Sequence, residues 1–102
     1  MCYLLMLEIR RSNRTKIDIK SIWRYSYNEW GEVQADRYVA KLNKAIERLA
    51  KTPRIGAPRE SIRSGLRAYH VGRHVIYYYV EPDHLYIVRI RHDRSDPYLY
   101  EE

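Results

Sequence analysis

The chain has 102 residues and a formal net charge of +6, with a pI near 9.5. This length suits one domain with a single modest core, and a hydrophobic content of 45% excludes a disordered chain. The positive charge indicates an anionic partner, either nucleic acid or an acidic protein. A solvated basic surface that keeps a small protein soluble is the simpler explanation of the same charge.

The opening segment and the cysteine content restrict the cellular setting. MCYLLML is too short for a signal peptide or a membrane span, and we interpret it as the beginning of an edge strand from about Tyr3 to Arg10. Met6 is an alternative start. Cys2 is the only cysteine, so an internal disulfide and a thiolate metal site are excluded, as expected in the reducing cytoplasm. The histidines lack metal-ligand spacing, and we expect no metal or cofactor.

Two amphipathic helices are predicted next. The first runs from about Thr15 to Trp30, with Ser12 or Asn13 as its N-cap and Gly31 as its stop. The second begins within a residue or two of Gly31, so the helices form an antiparallel hairpin. Apolar residues at helical spacing define the stripes expected to be buried, which are Ile19, Ile22, Trp23, Tyr27 and Trp30 in the first helix, and Ala35, Tyr38, Leu42, Ala45, Ile46 and Leu49 in the second.

The second helix, which ends near Lys51, also carries a row of cations on its opposite face. We name this row the basic stripe, and its members are Arg37, Lys41, Lys44, Arg48 and Lys51. Thr52 and Pro53 end the helix, because the residue before proline avoids helical geometry. The segment from Pro53 to Gly65 is predicted to be an irregular, mobile linker with one helical turn near Glu60.

Three antiparallel strands complete the prediction. They are Leu66 to Val71, His74 to Val80, and Leu85 to His92, joined by turns at Gly72-Arg73 and Pro82-Asp83. The sequence therefore predicts an α+β domain spanning residues 1–102. In this fold the helical hairpin packs on one face of a mainly antiparallel sheet of about four strands, and the other face stays comparatively open.

The last strand ends in a cluster of cations. Strict alternation places Arg89 and Arg91 on one face with Leu85 and Ile87, and His92 on the other face with Val88 and Ile90. The cluster is formed by Arg89, Arg91, His92 and Arg94, and Asp96 closes it.

Ordered sequence motifs from Ser12 to Asp96 resemble a known family. In the helices and the linker they are Asp18, Ile22, Trp23, Tyr25, Trp30, Gly31, Gln34, Ala35, Tyr38, Leu42, Leu49, Ala50, Pro53 and Gly56. The strand motifs are more specific, and they are Leu66, Arg67, Gly72, His74, Val75, Ile76, Tyr78, Ile87, Arg89, His92, Arg94 and Asp96. Together these residues resemble the ParE branch of the ParE/RelE toxin superfamily, the plasmid-stabilisation toxins of bacterial type II toxin–antitoxin modules. Pro97, Tyr98 and Tyr100 lie beyond the pattern.

The resemblance implies a toxin that inhibits DNA gyrase and thereby DNA replication. Its implied partner is a ParD-like ribbon-helix-helix antitoxin, and DNA is reached only indirectly through the antitoxin complex. The residues expected to contact the target are Arg67, Arg89, His92, Arg94 and Asp96. Alternatively, Asp96 pairs with Arg94 or Arg91 to pin the strand end, His92 is a partly buried structural histidine, and Arg67 is an exposed arginine without a role.

A separate set of residues is expected to bind the antitoxin. A domain this small cannot cover all of its aromatic side chains, and antitoxin tails are commonly acidic, so aromatic and cationic residues of the hairpin are the candidates. They are Trp23, Tyr27, Trp30, Tyr38, Lys41 and Lys44.

Two other functions remain open at this point. The alternative within the superfamily is a RelE-like, ribosome-dependent mRNA endoribonuclease without a metal, for which Arg67, Arg89, His92, Arg94 and Tyr98 would supply the proton transfers and cations. The other is a small nucleic-acid-binding domain that uses the cationic second helix. No nucleophile beside a base and no carboxylate pair is evident, so binding is favoured over catalysis.

Overall fold

The computed structural model describes residues 6–102. Its helices and strands, in chain order, are β1 (Glu8–Arg11), α1 (Asn13–Trp30), α2 (Glu32–Lys51), β2 (Ala57–Pro58), β3 (Arg67–Val71), β4 (His74–Val80) and β5 (His84–His92), with short 3-10 turns at Pro53–Ile55 and Pro97–Leu99. Cys2 and the predicted beginning of the first strand at Tyr3 lie outside the described residues.

Within residues 6–102 the sheet has five strands, in the order β1-β5-β4-β3-β2. β1 runs parallel to β5, and the other pairings are antiparallel. The α+β class and the mainly antiparallel sheet are confirmed. The prediction of about four strands was one short, because the two-residue strand β2 lies inside the segment that we interpreted as a linker.

The helical hairpin covers one face of the sheet, as predicted. Ser12 is the N-cap of α1, where its side chain accepts a hydrogen bond from the amide of Thr15, and Gly31 ends the helix with a φ of 91°. The buried residues of this face come from both helices and three strands. They are Ile22, Leu42, Ile46, Leu49, Ala50, Val71, Ile76, Tyr78, Leu85, Ile87 and Ile90.

The stripe predicted for α1 was partly wrong. The buried residues of the helix are Thr15, Ile22 and Ser26, whereas Tyr27 and Trp30 are 47% and 61% exposed. Thr15 is buried against the sheet, where its hydroxyl donates to the carbonyl of Ile87 at 3.0 Å. The rings of Tyr27 and Trp30 are left largely exposed to solvent.

The faces predicted for β5 change partway along the strand. The pairing with β4 shifts register between Tyr77 and Tyr78, which lie opposite Arg89 and Ile87, so Val88 is an extra residue in a β-bulge. Beyond the bulge the alternation is reversed. Ile90 therefore joins the helix-facing core, and Val88 points to the other face.

The second face of the sheet is covered more than expected. A second apolar cluster forms there from Leu66, Ala68, Tyr77, Val88 and Tyr100. Tyr100 belongs to the C-terminal tail and is only 4% exposed, and its ring lies 4.9 Å from that of Tyr77. The tail thus acts as a cover for part of this face.

The segment between α2 and β3 is held by specific hydrogen bonds. The hydroxyl of the buried Tyr78 accepts a hydrogen bond from the amide of Gly56 at 3.0 Å and donates one to the carbonyl of Pro53 at 2.6 Å. A helical turn follows, in which the amide of Arg63 donates to the carbonyl of Arg59. The predicted turn near Glu60 is present, but the segment is more regular than the sequence suggested.

Candidate functional site

The edge of β5 beyond β1 is completed by side chains of α1. β1 ends with Arg11 opposite Ile87. On this side of β5, the backbone groups that follow Ile87 therefore have no strand partner in the described part of the chain, although β4 pairs with the other side. The hydroxyl of Ser12 donates to the carbonyl of Val88 at 2.8 Å, and the carboxylate of Asp18 accepts from the amide of Ile90 at 2.9 Å. We name this region the α1–β5 junction.

Arg89 is part of that junction. Its guanidinium donates two hydrogen bonds to the carboxylate of Asp18, at 2.9 and 3.0 Å, and a third to the carbonyl of Glu101 at 2.7 Å. The side chains of Arg89 and Asp18 are only 15% and 13% exposed. The hydrogen bond with Asp18 raises the pKa of Arg89 above its usual value, so the arginine is a fixed cation that holds helix, strand and tail together.

Arg67 and Asp96, two further predicted target contacts, also have structural partners. Arg67 donates to the carbonyls of Gly56 and Arg54 at 3.0 and 2.9 Å. The carboxylate of Asp96 accepts from the amide of Tyr98 at 2.9 Å and so begins the final 3-10 turn. Asp96 does pin the end of the strand, but through its backbone carbonyl, which accepts from Arg91 at 3.3 Å.

His92 and Arg94, the remaining candidates, lie in an open cleft of about 970 Å³ between the helical hairpin and one end of the sheet. We refer to this feature as the cleft. Its lining comes from both helices, from the β3–β4 turn and from the end of β5. The lining residues are Ser21, Ile22, Tyr25, Ser26, Trp30, Gln34, Arg37, Tyr38, Lys41, Gly72, Arg73, His74, His92 and Arg94.

The cleft combines cations with aromatic rings. Arg37, Lys41, Arg73 and Arg94 contribute four positive charges, and no Asp or Glu of the described residues is among the lining side chains. Aromatic surface is provided mainly by Tyr25 and Trp30. A site of this composition recognises anions and planar groups.

The floor of the cleft is a Tyr–His–His cluster. The hydroxyl of Tyr38 is hydrogen bonded to Nδ1 of His74 at 2.6 Å and accepts from the amide of Arg73 at 3.1 Å. The rings of His74 and His92 meet edge to face with centroids 5.4 Å apart. Burial, and then the nearby His92, lower the pKa of His74.

The β3–β4 turn is shaped to fit this cluster. Gly72, in the turn predicted at Gly72-Arg73, has a φ of 60°, and a Cβ there would lie 2.8 Å from the hydroxyl oxygen of Tyr38. Glycine is therefore required both by the backbone conformation and by the tyrosine. The turn carries Arg73 into the cleft, a position that sequence reasoning did not identify, because only the fold brings this turn beside α2.

The predicted antitoxin contacts are divided by the structure into two groups. Trp30, Tyr38 and Lys41 line the cleft. Trp23 and Tyr27 stack on each other outside it, with ring centroids 5.1 Å apart, and the indole of Trp23 donates to the carboxylate of Asp36 at 2.8 Å. The sixth candidate, Lys44, is exposed on the basic stripe.

Residues 6–102 contain neither a membrane-spanning helix nor a group of side chains that could hold a metal ion. Within residues 6–102, no helix is both long enough and apolar enough to cross a membrane. In the same residues, no group of three or more metal-ligating side chains is arranged to hold a metal ion.

Comparison with known proteins identifies the family. Residues 9–97 match the family described as "ParE toxin of type II toxin-antitoxin system, parDE". The toxin ParE1 of Caulobacter vibrioides is 39% identical over 87 residues, covering 85% of this chain and 90% of that protein. The toxin ParE1 of Mycobacterium tuberculosis H37Rv is 38% identical over 79 residues, covering 76% of this chain and 81% of that protein.

Solved structures show the same fold at lower sequence identity. A chain of the chromosomal ParDE toxin–antitoxin system from P. aeruginosa aligns over 85% of this chain and 96% of its own length, with a TM-score of 0.74 and 19% identity. A chain of the RelBE2 complex from Mycobacterium tuberculosis aligns over 85% and 98%, with a TM-score of 0.66 and 18% identity. From the family match and its relatives, the chain belongs to the ParE toxin family of type II toxin–antitoxin systems.

Proposed function

We propose that this protein is a toxin that inhibits DNA gyrase and thereby DNA replication in the bacterial cytoplasm, acting as one domain. Membership of the ParE family supports this target. The observation that carries the proposal is the division of the predicted site residues. Arg67 and Arg89 are engaged in structural hydrogen bonds. His92 and Arg94 line the cleft, where Nδ1 of His92 accepts from the backbone amide of Arg94 at 3.1 Å and the guanidinium of Arg94 stays available. The available groups therefore suit recognition of a macromolecule.

The same division weakens the endoribonuclease alternative. Metal-free RNA cleavage requires cations that are free to approach the scissile phosphate, and a donor for the leaving oxygen. Arg89 is held by Asp18 in a part-buried pair, and Arg67 donates to two backbone carbonyls of the segment before β2. Two of the five groups that this mechanism would use are thus committed elsewhere.

Inducible expression of the chain in bacteria tests the target. DNA synthesis and protein synthesis are followed by pulse labelling after induction. We expect DNA synthesis to stop first, with filamentation and a DNA-damage response, and we expect Arg94→Gln to relieve the block while the matched control Arg24→Gln, an exposed cation of α1, does not. Early loss of protein synthesis with cleaved messages would instead establish the ribonuclease reading.

We propose that a ParD-like ribbon-helix-helix antitoxin binds this toxin and neutralises it. The aromatic pair of Trp23 and Tyr27 offers apolar surface on the outside of the hairpin. The five cations of the basic stripe are all exposed along α2, where they can steer an acidic tail. An amphipathic antitoxin helix lying along the hairpin would use both features.

A titration with the cognate antitoxin tests this assignment. Lys41→Glu combined with Lys44→Glu should weaken binding at least tenfold and leave the midpoint of urea unfolding nearly unchanged, because both side chains are exposed. Lys20→Glu with Arg24→Glu makes the same charge change on α1 and is the control. Equal affinities for the two double variants would rule out steering by the basic stripe.

A further inference from the structure

We propose that the cleft is a binding site for single-stranded nucleic acid, in which cations hold the phosphates and aromatic rings stack on the bases. The proposal goes beyond inhibition of gyrase, because it gives the toxin a nucleic-acid contact of its own. It also departs from the expectation that DNA is reached only through the antitoxin complex.

Four cations from separate parts of the chain converge in the cleft. Arg37 and Lys41 come from α2, Arg73 from the β3–β4 turn, and Arg94 from the segment after β5. Like charges brought together repel each other. No carboxylate of the described residues is among the lining side chains, and the carboxylate of Asp93 lies at the edge of the cleft, 3.3 Å from Nδ1 of His92. An external polyanion therefore gains from all four cations at once.

Two exposed aromatic rings lie beside these cations in the cleft. Tyr25 and Trp30 are each 61% exposed, although large rings normally seek burial. Their centroids are 6.1 Å apart with an interplanar angle of 79°, and in an edge-to-face pair at least one ring keeps a face free. Base–aromatic stacking beside a cationic groove is the recurring design of proteins that bind single strands.

The size and shape of the cleft favour a strand over a small metabolite. Its volume of about 970 Å³ lies at the upper end of the range of small-ligand pockets, about 300–1,000 Å³, and it is open to solvent. An acidic peptide would match the charges but would leave the ring faces without stacking partners. The part of the basic stripe that lies outside the cleft, formed by Lys44, Arg48 and Lys51, already offers a surface for such a peptide.

Fluorescence anisotropy with the full chain tests the site. The probes are labelled oligothymidine and oligouridine of about ten nucleotides, whose comparison distinguishes DNA from RNA. We expect log K to fall with log salt at a slope of about −3, since four cations face a single strand. Arg73→Gln with Arg94→Gln should reduce that slope by about half, whereas the control pair Lys20→Gln with Arg24→Gln should leave it unchanged.

The two tryptophans provide an independent readout. In a Trp23→Phe background all indole emission comes from Trp30, which lines the cleft, and oligothymidine should quench it. In a Trp30→Phe background the emission comes from Trp23, outside the cleft, and should not respond. Trp30→Ala should weaken binding about fivefold or more, because stacking on one base contributes about 1–3 kcal/mol.

Several results would overturn the proposal. They are absence of binding at about 50 mM salt, equal losses in the cleft variant and its control, and quenching of both tryptophans alike. If the parent chain binds a poly-glutamate peptide but no oligonucleotide, and the cleft substitutions abolish peptide binding, the cleft would be assigned to an acidic protein instead. A chain that blocks DNA synthesis yet gives any of these results retains its proposed function and loses only this site.

Discussion

Arg89 and Arg94 belong to the same family motif, but they have opposite surroundings. Arg89 lies in the α1–β5 junction, where a carboxylate and a backbone carbonyl accept its hydrogen bonds. Arg94 lies in the cleft, whose lining includes no carboxylate of the described residues. The junction uses charge to build the fold, since every charged group there has a partner. The cleft leaves its charges available to a ligand.

The comparison implies that substitutions in the two regions have different consequences. Removing a partner in the junction leaves a part-buried charge or an edge amide without a hydrogen-bond partner, and this lowers the stability of the fold. Removing a cation from the cleft relieves repulsion, so stability changes little while binding is lost.

Asp18→Ala should be the most destabilising change. It leaves the part-buried Arg89 without its carboxylate and the amide of Ile90 without its acceptor, so the free energy of unfolding should fall by about 3–5 kcal/mol. Asp18→Asn retains an acceptor and should lose clearly less. Urea unfolding followed by circular dichroism measures both, and a loss of less than about 1 kcal/mol for Asp18→Ala would contradict the role of the junction.

Ser12→Ala should cost about 1 kcal/mol, the usual value for a lost N-cap. The substitution removes the acceptor for the amide of Thr15 and the donor to the carbonyl of Val88. Asn13→Ala, at the exposed adjacent position, is the matched control. Thermal unfolding of the two variants should differ by several degrees, and similar midpoints would show that the cap does not support the strand edge.

His74 should make stability depend on pH. Because its folded-state pKa is lowered, the unfolded chain binds the proton more readily, and the stabilising contribution is present above the unfolded pKa of about 6.5 and is lost as pH falls below it. His74→Gln should therefore lose less stability than the parent chain between about pH 7 and about pH 5. If the parent chain and His74→Gln lose the same stability between the two pH values, this role of His74 would be excluded.

Arg73→Gln with Arg94→Gln should have the smallest effect on folding, within about 0.5 kcal/mol of the parent chain. Neither guanidinium is hydrogen bonded to a carboxylate in residues 6–102, so no partner is stranded by the change. Urea unfolding of the double variant provides the measurement. A loss as large as that of Asp18→Ala would mean that the cleft arginines, like Arg89, are structural.

Local patterns predicted the elements well because each has a local cause. Ser12 as the N-cap and Gly31 as the stop of α1 follow from hydrogen-bonding capacity and backbone freedom. The positive φ of Gly72 follows in the same way. The buried stripe of α2 follows from helical periodicity.

The features that the sequence did not predict depend on interactions between distant parts of the chain. The bulge beside Val88 reverses the faces of β5, and no pattern within the strand marks it. Thr15 is buried where its hydroxyl donates to the carbonyl of Ile87 in β5, a contact that a hydrophobicity stripe does not detect. Which arginines of the motif are paired depends on Asp18, more than seventy positions earlier, so the division of the site required the fold.

The most direct test of the account is a supercoiling assay with purified DNA gyrase, the parent chain, and the Arg73→Gln, Arg94→Gln double variant. We predict that the parent chain stops supercoiling and accumulates cleaved plasmid, and that the double variant, equally stable in urea, does not. Lys20→Gln with Arg24→Gln should behave as the parent. Full inhibition by the double variant, or no effect of the parent chain on gyrase, would contradict the account.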